Sequence, residues 1–215
     1  MKPTINQYKR AGFTIDEVRG DGEFEAARQM IEAFGINLRV CANNEHEPHV
    51  ERHHRILQER MRALLTNSAF DKLPKVLTRA LAKYATFYLN HLPWNSGVSK
   101  TLSPAYIVSG QRLNYKNHCQ LEFLEYVHVH NPSENTMKPR TSPALNLGPT
   151  GNEQGAHLFY NIASRRIVHR LHWTRVPMPE GVEEEIHKMA KKEAMTGELN
   201  FEDEYDTSYV PRGGN

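Results

Sequence analysis

The sequence predicts an α/β protein in which a strand-and-helix half is followed by a β-rich region and an acidic tail. Three observations lead there. Residues 13–18 and 36–40 alternate apolar and polar side chains around a segment of helical spacing. After about residue 120, five short β-rich runs alternate with turns. The end of the chain reverses the charge of the rest. Residues 1–177 hold 23 basic against 15 acidic side chains, a net +8, and residues 178–215 hold 4 against 10, a net −6.

Each element has a local cause. Residues 4–10 read as the end of a short helix closed by Gly12. The run 13–18 is rich in β-branched residues and reads as a strand, and Asp21-Gly22 turns the chain. Phe24, Ala27, Met30, Ile31 and Phe34 then recur at helical spacing, with Gly35 as the stop. Residues 36–40 form the second alternating strand, and 43–48 a polar loop. A helix is predicted over 50–65, with Val50, Leu57, Met61, Leu64 and Leu65 as its core stripe. Pro74 opens a third helix marked by Val76, Leu77, Ala80, Leu81, Tyr84, Tyr88 and Leu89. Trp94 to Gly97 is a loop, and Ser103-Pro104 starts a short helix ending at Gly110.

The β-rich runs are 126–130, 144–147, 157–162, 167–169 and 173–176, a spacing that suggests a small antiparallel barrel or sandwich. Residues 183–195 suit a short amphipathic helix, and 196–215 are acidic and expected to be disordered. The domain boundaries expected are 1–118 for the α/β part, 119–178 for the β-rich part, and 179–215 for the acidic helix and tail.

Composition narrows the class. The chain has 215 residues, 24% of them charged, and no apolar run near the ~18 residues of a membrane span. Its first residues lack the apolar core of a signal peptide, and Cys41 and Cys119 match no ligand or redox spacing. The expectation is an intracellular protein, cytoplasmic or nuclear, with reduced thiols. A basic body with an acidic tail fits a polyanion partner, the tail screening the body; the plain alternative is a solvated surface with a disordered end.

Two carboxylates stand out. Asp21 follows a predicted strand, and Glu51 opens a predicted helix in Glu51-Arg52-His53-His54-Arg55. Carboxylates so placed can meet and hold a hard cation such as Mg²⁺. Structurally, Asp21 is equally a turn residue, and Glu51 can pair with Arg55 at i, i+4 for ~0.3–0.5 kcal/mol. Arg55 and Arg62 share the helical face of Glu51, so Arg52, Arg55 and Arg62 are candidate phosphate contacts. Lys72, Lys75, Arg79 and Lys83 read more simply as a solvated face. Glu23 and Glu25 suit a helix N-terminus. His46, His49, His53 and His54 lack the cysteine pair that would complete a zinc site. Gly148 to Gly155 lacks a phosphate loop's Gly-Lys-Ser/Thr ending and reads as a hairpin turn. Trp173, near Arg170, His172 and Arg175, suits packing better than base stacking.

The order of these pieces resembles the retroviral-type integrase core of copia-type retrotransposons. The resemblance rests on Asp21-Gly22-Glu23-Phe24, Gly35-Ile36-Asn37-Leu38, Glu51 to Arg55, Tyr88-Leu89-Asn90 and Thr101-Leu102-Ser103-Pro104. Leu145-Asn146-Leu147-Gly148 and the strands around Tyr160 and Ile167 resemble the barrel-like region downstream. The likeness covers roughly residues 4–178. It implies a partial RNase H-like core followed by a small antiparallel β-barrel-like domain. It also implies Asp21 and Glu51 as catalytic metal ligands for Mg²⁺ (or Mn²⁺), and DNA, or RNA, as partner. The reaction class implied is DNA integration, a Mg²⁺-assisted phosphoryl transfer in which paired metals clamp the attacking and leaving oxygens.

The chain departs from the family in three ways. The family's first Asp belongs upstream of anything here, its His/Cys zinc module is absent, and the stretch from Asp21 to Glu51 is short. The expectation is therefore a C-terminal piece of an integrase-like polyprotein, catalytically incomplete without the first acidic ligand. The alternatives are a non-catalytic nucleic-acid-binding remnant and a non-functional fragment. Exposed sheet edges are expected to favour self-association.

Overall fold

β1 (Glu17–Gly20) and β2 (Asn37–Val40) pair in parallel, with Glu17 opposite Asn37 and Gly20 opposite Val40. This computed structural model describes residues 2–20, 22–41, 48–95, 97–132, 137 and 139–193. The fold is mixed α/β. Two compact units are present: Met1–Leu57 with Phe87–Arg112, and Gln58–Thr86 with Leu113–Asn215.

In the first unit, α1 (Lys2–Arg10) precedes β1, and a 3-10 turn (Gly22–Ala27) followed by α2 (Arg28–Glu32) carries the chain across to β2. The strand starts later than the alternation of 13–18 predicts. A ladder extends only as far as its partner, and β2 begins at Asn37, so among the described residues 13–15 have no ladder partner; Phe13 N–H bonds the Tyr8 carbonyl instead. The helix predicted over 24–34 is likewise shorter. Its first part is 3-10, with three residues per turn, so the 3.6 spacing that would align Phe24 with Ile31 is lost. Phe24 is 46% exposed and Met30 54%, while Ile31 is buried. Ile31 packs with Ile5, Ile36 and Leu38, flanked by Ile15, Val18, Ala27, Phe34 and Val40. Arg28 braces this crossover by bonding Glu25 at 2.6 Å, Glu32 at 3.1 Å and the Leu38 carbonyl at 3.1 Å. The bond from Arg28 lowers the Glu25 pKa below its ordinary value.

α3 (Pro48–Thr66) and α4 (Lys75–His91) each contribute to both units. In α3, Met61 is buried, but Val50, placed on the core stripe by its spacing, is 47% exposed in the first turn. α4 buries Leu77, Ala80, Leu81, Tyr84 and Ala85, the stripe its periodicity predicts. The Pro74 carbonyl accepts from Leu77 and Thr78, which places the proline just before the first turn. α5 (Pro104–Ser109), in the first unit, follows its sequence signals. The Ser103 hydroxyl accepts from the Tyr106 N–H at 3.2 Å, and Gly110 closes the helix at φ +70°.

In the second unit, α6 (Tyr115–His118) leads into β3 (Tyr126–His130), β4 (Thr141–Pro149), β5 (His157–Asn161), β6 (Arg166–Arg170) and β7 (Trp173–Arg175). They form one antiparallel sheet in the order β6-β5-β4-β3-β7. The last strand, β7, returns to pair with β3. No ladder joins β6 to β7 among the described residues, so by hydrogen bonding the sheet is open. One face is packed by Leu121, Val127, Val129, Ala144 and Phe159, with Val168 and Trp173 against them. α7 (Val182–Lys192) buries Ile186 and Ala190, and the Tyr160 hydroxyl reaches Met189 Sδ at 3.8 Å. Residues 42–47 and 194–215 lie outside the described residues; they take in the tail 196–215 expected to be disordered and most of the polar loop expected over 43–48. No helix among the described residues is long and apolar enough to cross a membrane.

Candidate nucleic-acid interface

The candidate residues start from a helix end. α3 begins at Pro48, a residue that suits a first turn because its missing N–H would find no intrahelical partner there. Glu51 falls in the first turn, where the helix dipole favours a carboxylate. Glu51, Arg52 and Arg55 are all exposed. Arg62, further along the same helix, is half-buried and belongs to the second unit.

The neighbouring His53 ring meets Trp94 edge-on, with centroids 6.1 Å apart. Trp94 folds over Gly97, which bonds the Trp94 carbonyl at 2.9 Å; a Cβ on Gly97 would stand 2.9 Å from the indole nitrogen. The loop after α4 thus packs against the start of α3. His53 and His54 are both exposed.

Asp21 lies outside the described residues, between Gly20 at the end of β1 and Gly22 at the start of the 3-10 turn. His46 and the side chain of His49 lie outside them too. Among the described residues, no three His, Cys, Asp or Glu side chains gather as metal ligands. The described donors by themselves do not fit a two-metal site, since Glu51 stands on an exposed helix turn without two further acids.

Elsewhere, structural roles prevail. The glycine-rich segment after β4 is a turn: Thr150 N–H donates to the Ala156 carbonyl at 2.9 Å, and Asn152 Oδ1 accepts from Ala156 at 2.8 Å. Trp173 packs on Phe159 and His157, with centroids 5.5 and 4.8 Å away. Arg175 bonds Glu125 at 3.0 Å and the Gln120 carbonyl. Lys75, Arg79 and Lys83 lie exposed on α4, away from its buried stripe.

No protein-family model matches the chain, and no curated protein is significantly similar to it. Any functional reading therefore rests on this chain's own residues.

The buried polar residues of the second unit carry no sequence signal of their own. Asn146, His118 and His157 are 0%, 4% and 0% exposed. His118 sets Nδ1 2.8 Å from the Asn114 carbonyl and Nε2 2.6 Å from the Asn152 carbonyl, tying α6 to the turn after β4. His157 Nδ1 lies 3.0 Å from the Gly155 carbonyl. Burial lowers the His157 pKa, and the bond to the Gly155 carbonyl opposes part of that shift.

Proposed function

We propose that the chain is an integrase-like, nucleic-acid-binding protein of retrotransposon origin, with the start of α3 as its phosphate-contacting surface. The observation that carries this reading is the exposed grouping of Glu51, Arg52 and Arg55 on the first turns of α3, which follows a β1–α2–β2 crossover. That order of strand, helix, strand and charged helix start is the one on which the copia-type resemblance rests. The partial RNase H-like core and the barrel-like downstream region belong to the same reading. They draw support from the parallel β1–β2 pair and from the return of β7 to β3.

The partner is DNA, or RNA, held mainly through its phosphates. Arginine suits this role because its planar fork donates two bonds at once to a phosphate. Mg²⁺ (or Mn²⁺) at Asp21 and Glu51 enters only as what the resemblance implies. We derive no catalytic step from it, and the function proposed is binding.

The test is duplex and single-stranded DNA binding by the full chain across a salt series, beside the Arg52→Glu/Arg55→Glu variant. Each phosphate contact contributes about 0.9 to the slope of log affinity against log salt on duplex DNA, so losing both lowers the slope by roughly 1.8. Identical salt slopes for the wild type and the variant would remove α3 from the interface. No binding by either protein at low salt would leave the non-functional fragment as the better reading.

A further inference from the structure

The acidic tail has a basic surface within reach. α4 carries Lys75, Arg79 and Lys83 and no acidic residue. The three recur at every fourth position, so they form one stripe along the helix, and all three are exposed. Among the described residues, no ion pair joins any of them to a carboxylate. Like charges at this spacing repel one another, and Lys75 stands in the first turn, where the helix dipole disfavours a cation. An anion laid along the stripe relieves both.

The chain leaves α7 at one end of that stripe. Glu193, the residue after α7, accepts from the Lys75 N–H at 2.7 Å. His187 Nε2 accepts from the Asp71 N–H at 3.3 Å, and its ring meets Phe70 edge-on with centroids 6.5 Å apart. These contacts hold α7 against the segment that leads into α4. Beyond Glu193, residues 194–215 hold Glu198, Glu202, Asp203, Glu204 and Asp206 against Arg212, a net −4. Glu198 is five residues past Glu193, a span of up to about 17 Å when extended. Lys83 lies about 12 Å along the helix axis from Lys75, at ~1.5 Å per residue. The acidic run therefore reaches the whole stripe.

We infer that the acidic segment 198–206 docks in cis on the Lys75, Arg79 and Lys83 face of α4. Opposite charge, the anchor at Glu193 and the length of chain beyond it together select this occupant. Lys191 and Lys192 are nearer in sequence, but they sit in the last turn of α7, where the dipole already favours cations. Lys75 has no such compensation. This surface is separate from the Arg52 and Arg55 turn of α3, so the inference does not rest on nucleic-acid binding there.

Carbodiimide coupling of the full chain, followed by peptide mapping by mass spectrometry, tests this. The reagent joins a lysine amine to a carboxylate in contact with it. At low salt, Lys75 and Lys83 are expected to link to acids of 198–206 within single chains, in a yield independent of protein concentration. Arg79→Glu keeps both reporting lysines but reverses the charge between them, and is expected to lose most of those links. High salt should do the same to the wild type, because exposed charge pairs are screened. The link between Lys188 and Glu184, 3.3 Å apart on α7, should persist throughout and serves as the reference for reagent and fold. Absence of tail links beside an intact reference link overturns the inference. So do links confined to Lys191 and Lys192, links formed only between two chains, or links untouched by Arg79→Glu.

Discussion

Asn146 Nδ2 donates to the Glu122 carbonyl at 2.8 Å, joining the middle of β4 to the segment that leads into β3. The same side chain accepts from Gly148 N–H at 3.1 Å across the bulge between Asn146 and Gly148. Its backbone accepts from Leu124 at 2.8 Å and donates to Glu125 at 3.0 Å, which holds Leu124 at φ +60°. One fully buried residue thus satisfies irregular backbone both at the β4 bulge and in the segment before β3.

Replacing Asn146 with Leu removes those side-chain partners while keeping the volume similar. A part-buried carbonyl and a buried N–H lose their bonds; leaving the buried N–H unsatisfied costs about 1–3 kcal/mol. The urea midpoint is expected to fall accordingly, with the m-value unchanged. A loss below about 0.5 kcal/mol, within the range of ordinary surface substitutions, would show that water or a backbone shift replaces the amide.

Gly148 sits at φ +110° with the Tyr84 ring against it, and an added Cβ would stand 2.6 Å from Tyr84 Cδ2. Gly148→Ala is expected to cost on the order of 3 kcal/mol, combining backbone strain with overpacking. Adding Tyr84→Ala removes the clash but not the strain, so the double variant should lose less than the two single losses combined. Strict additivity in chemical denaturation would mean that the ring simply moves aside.

Burial gives His157 a direction in pH. Its pKa is lower in the folded protein than the ordinary ~6.5, so below that value the unfolded chain takes up a proton that the folded one refuses. Stability from this group is complete above about pH 6.5 and is lost as pH falls through that range toward the lowered folded value. Urea midpoints at pH 5 and 7.5 should therefore differ in the wild type. The difference should shrink in His157→Gln; an unchanged difference would assign the effect to other histidines.

The integrase-like reading also makes a prediction about chemistry. With Mg²⁺ or Mn²⁺ and labelled duplex DNA, the wild type, Asp21→Asn and Glu51→Gln are all expected to show no nicking or strand transfer. Salt-sensitive binding is expected in all three. Wild-type activity that disappears in both variants would mean that a metal site survives, and binding alone would no longer describe the protein.

Several elements could be read from residues alone because their signals are local. The helix from Pro104 to Ser109 has its cap in Ser103 and its stop in Gly110, and both act within one turn. Strands β3 and β5 fall where β-branched and aromatic residues cluster between turns, and α4 follows its own apolar stripe. The exposed arginines at the start of α3 were likewise legible, since Arg52 and Arg55 fall off the apolar stripe that Leu57 and Met61 mark on this helix.

Periodicity fails where burial depends on a distant partner. Val50, Phe24 and Met30 have core-like spacing yet stand largely exposed, because an apolar residue is buried only if another element covers it. Tertiary structure alone decided that residues 58–86 belong with the β-rich sheet, where Tyr84 packs on Gly148 and its hydroxyl reaches the Leu121 carbonyl at 3.4 Å. It also decided that Asn146 and His157 are buried, and that β7 returns to β3. The sequence by itself determined the kind and order of elements and the charge of their surfaces, because propensity, capping and alternation act over a few residues. Pairing across long stretches of chain depends on which surfaces meet, and no short stretch of residues encodes that.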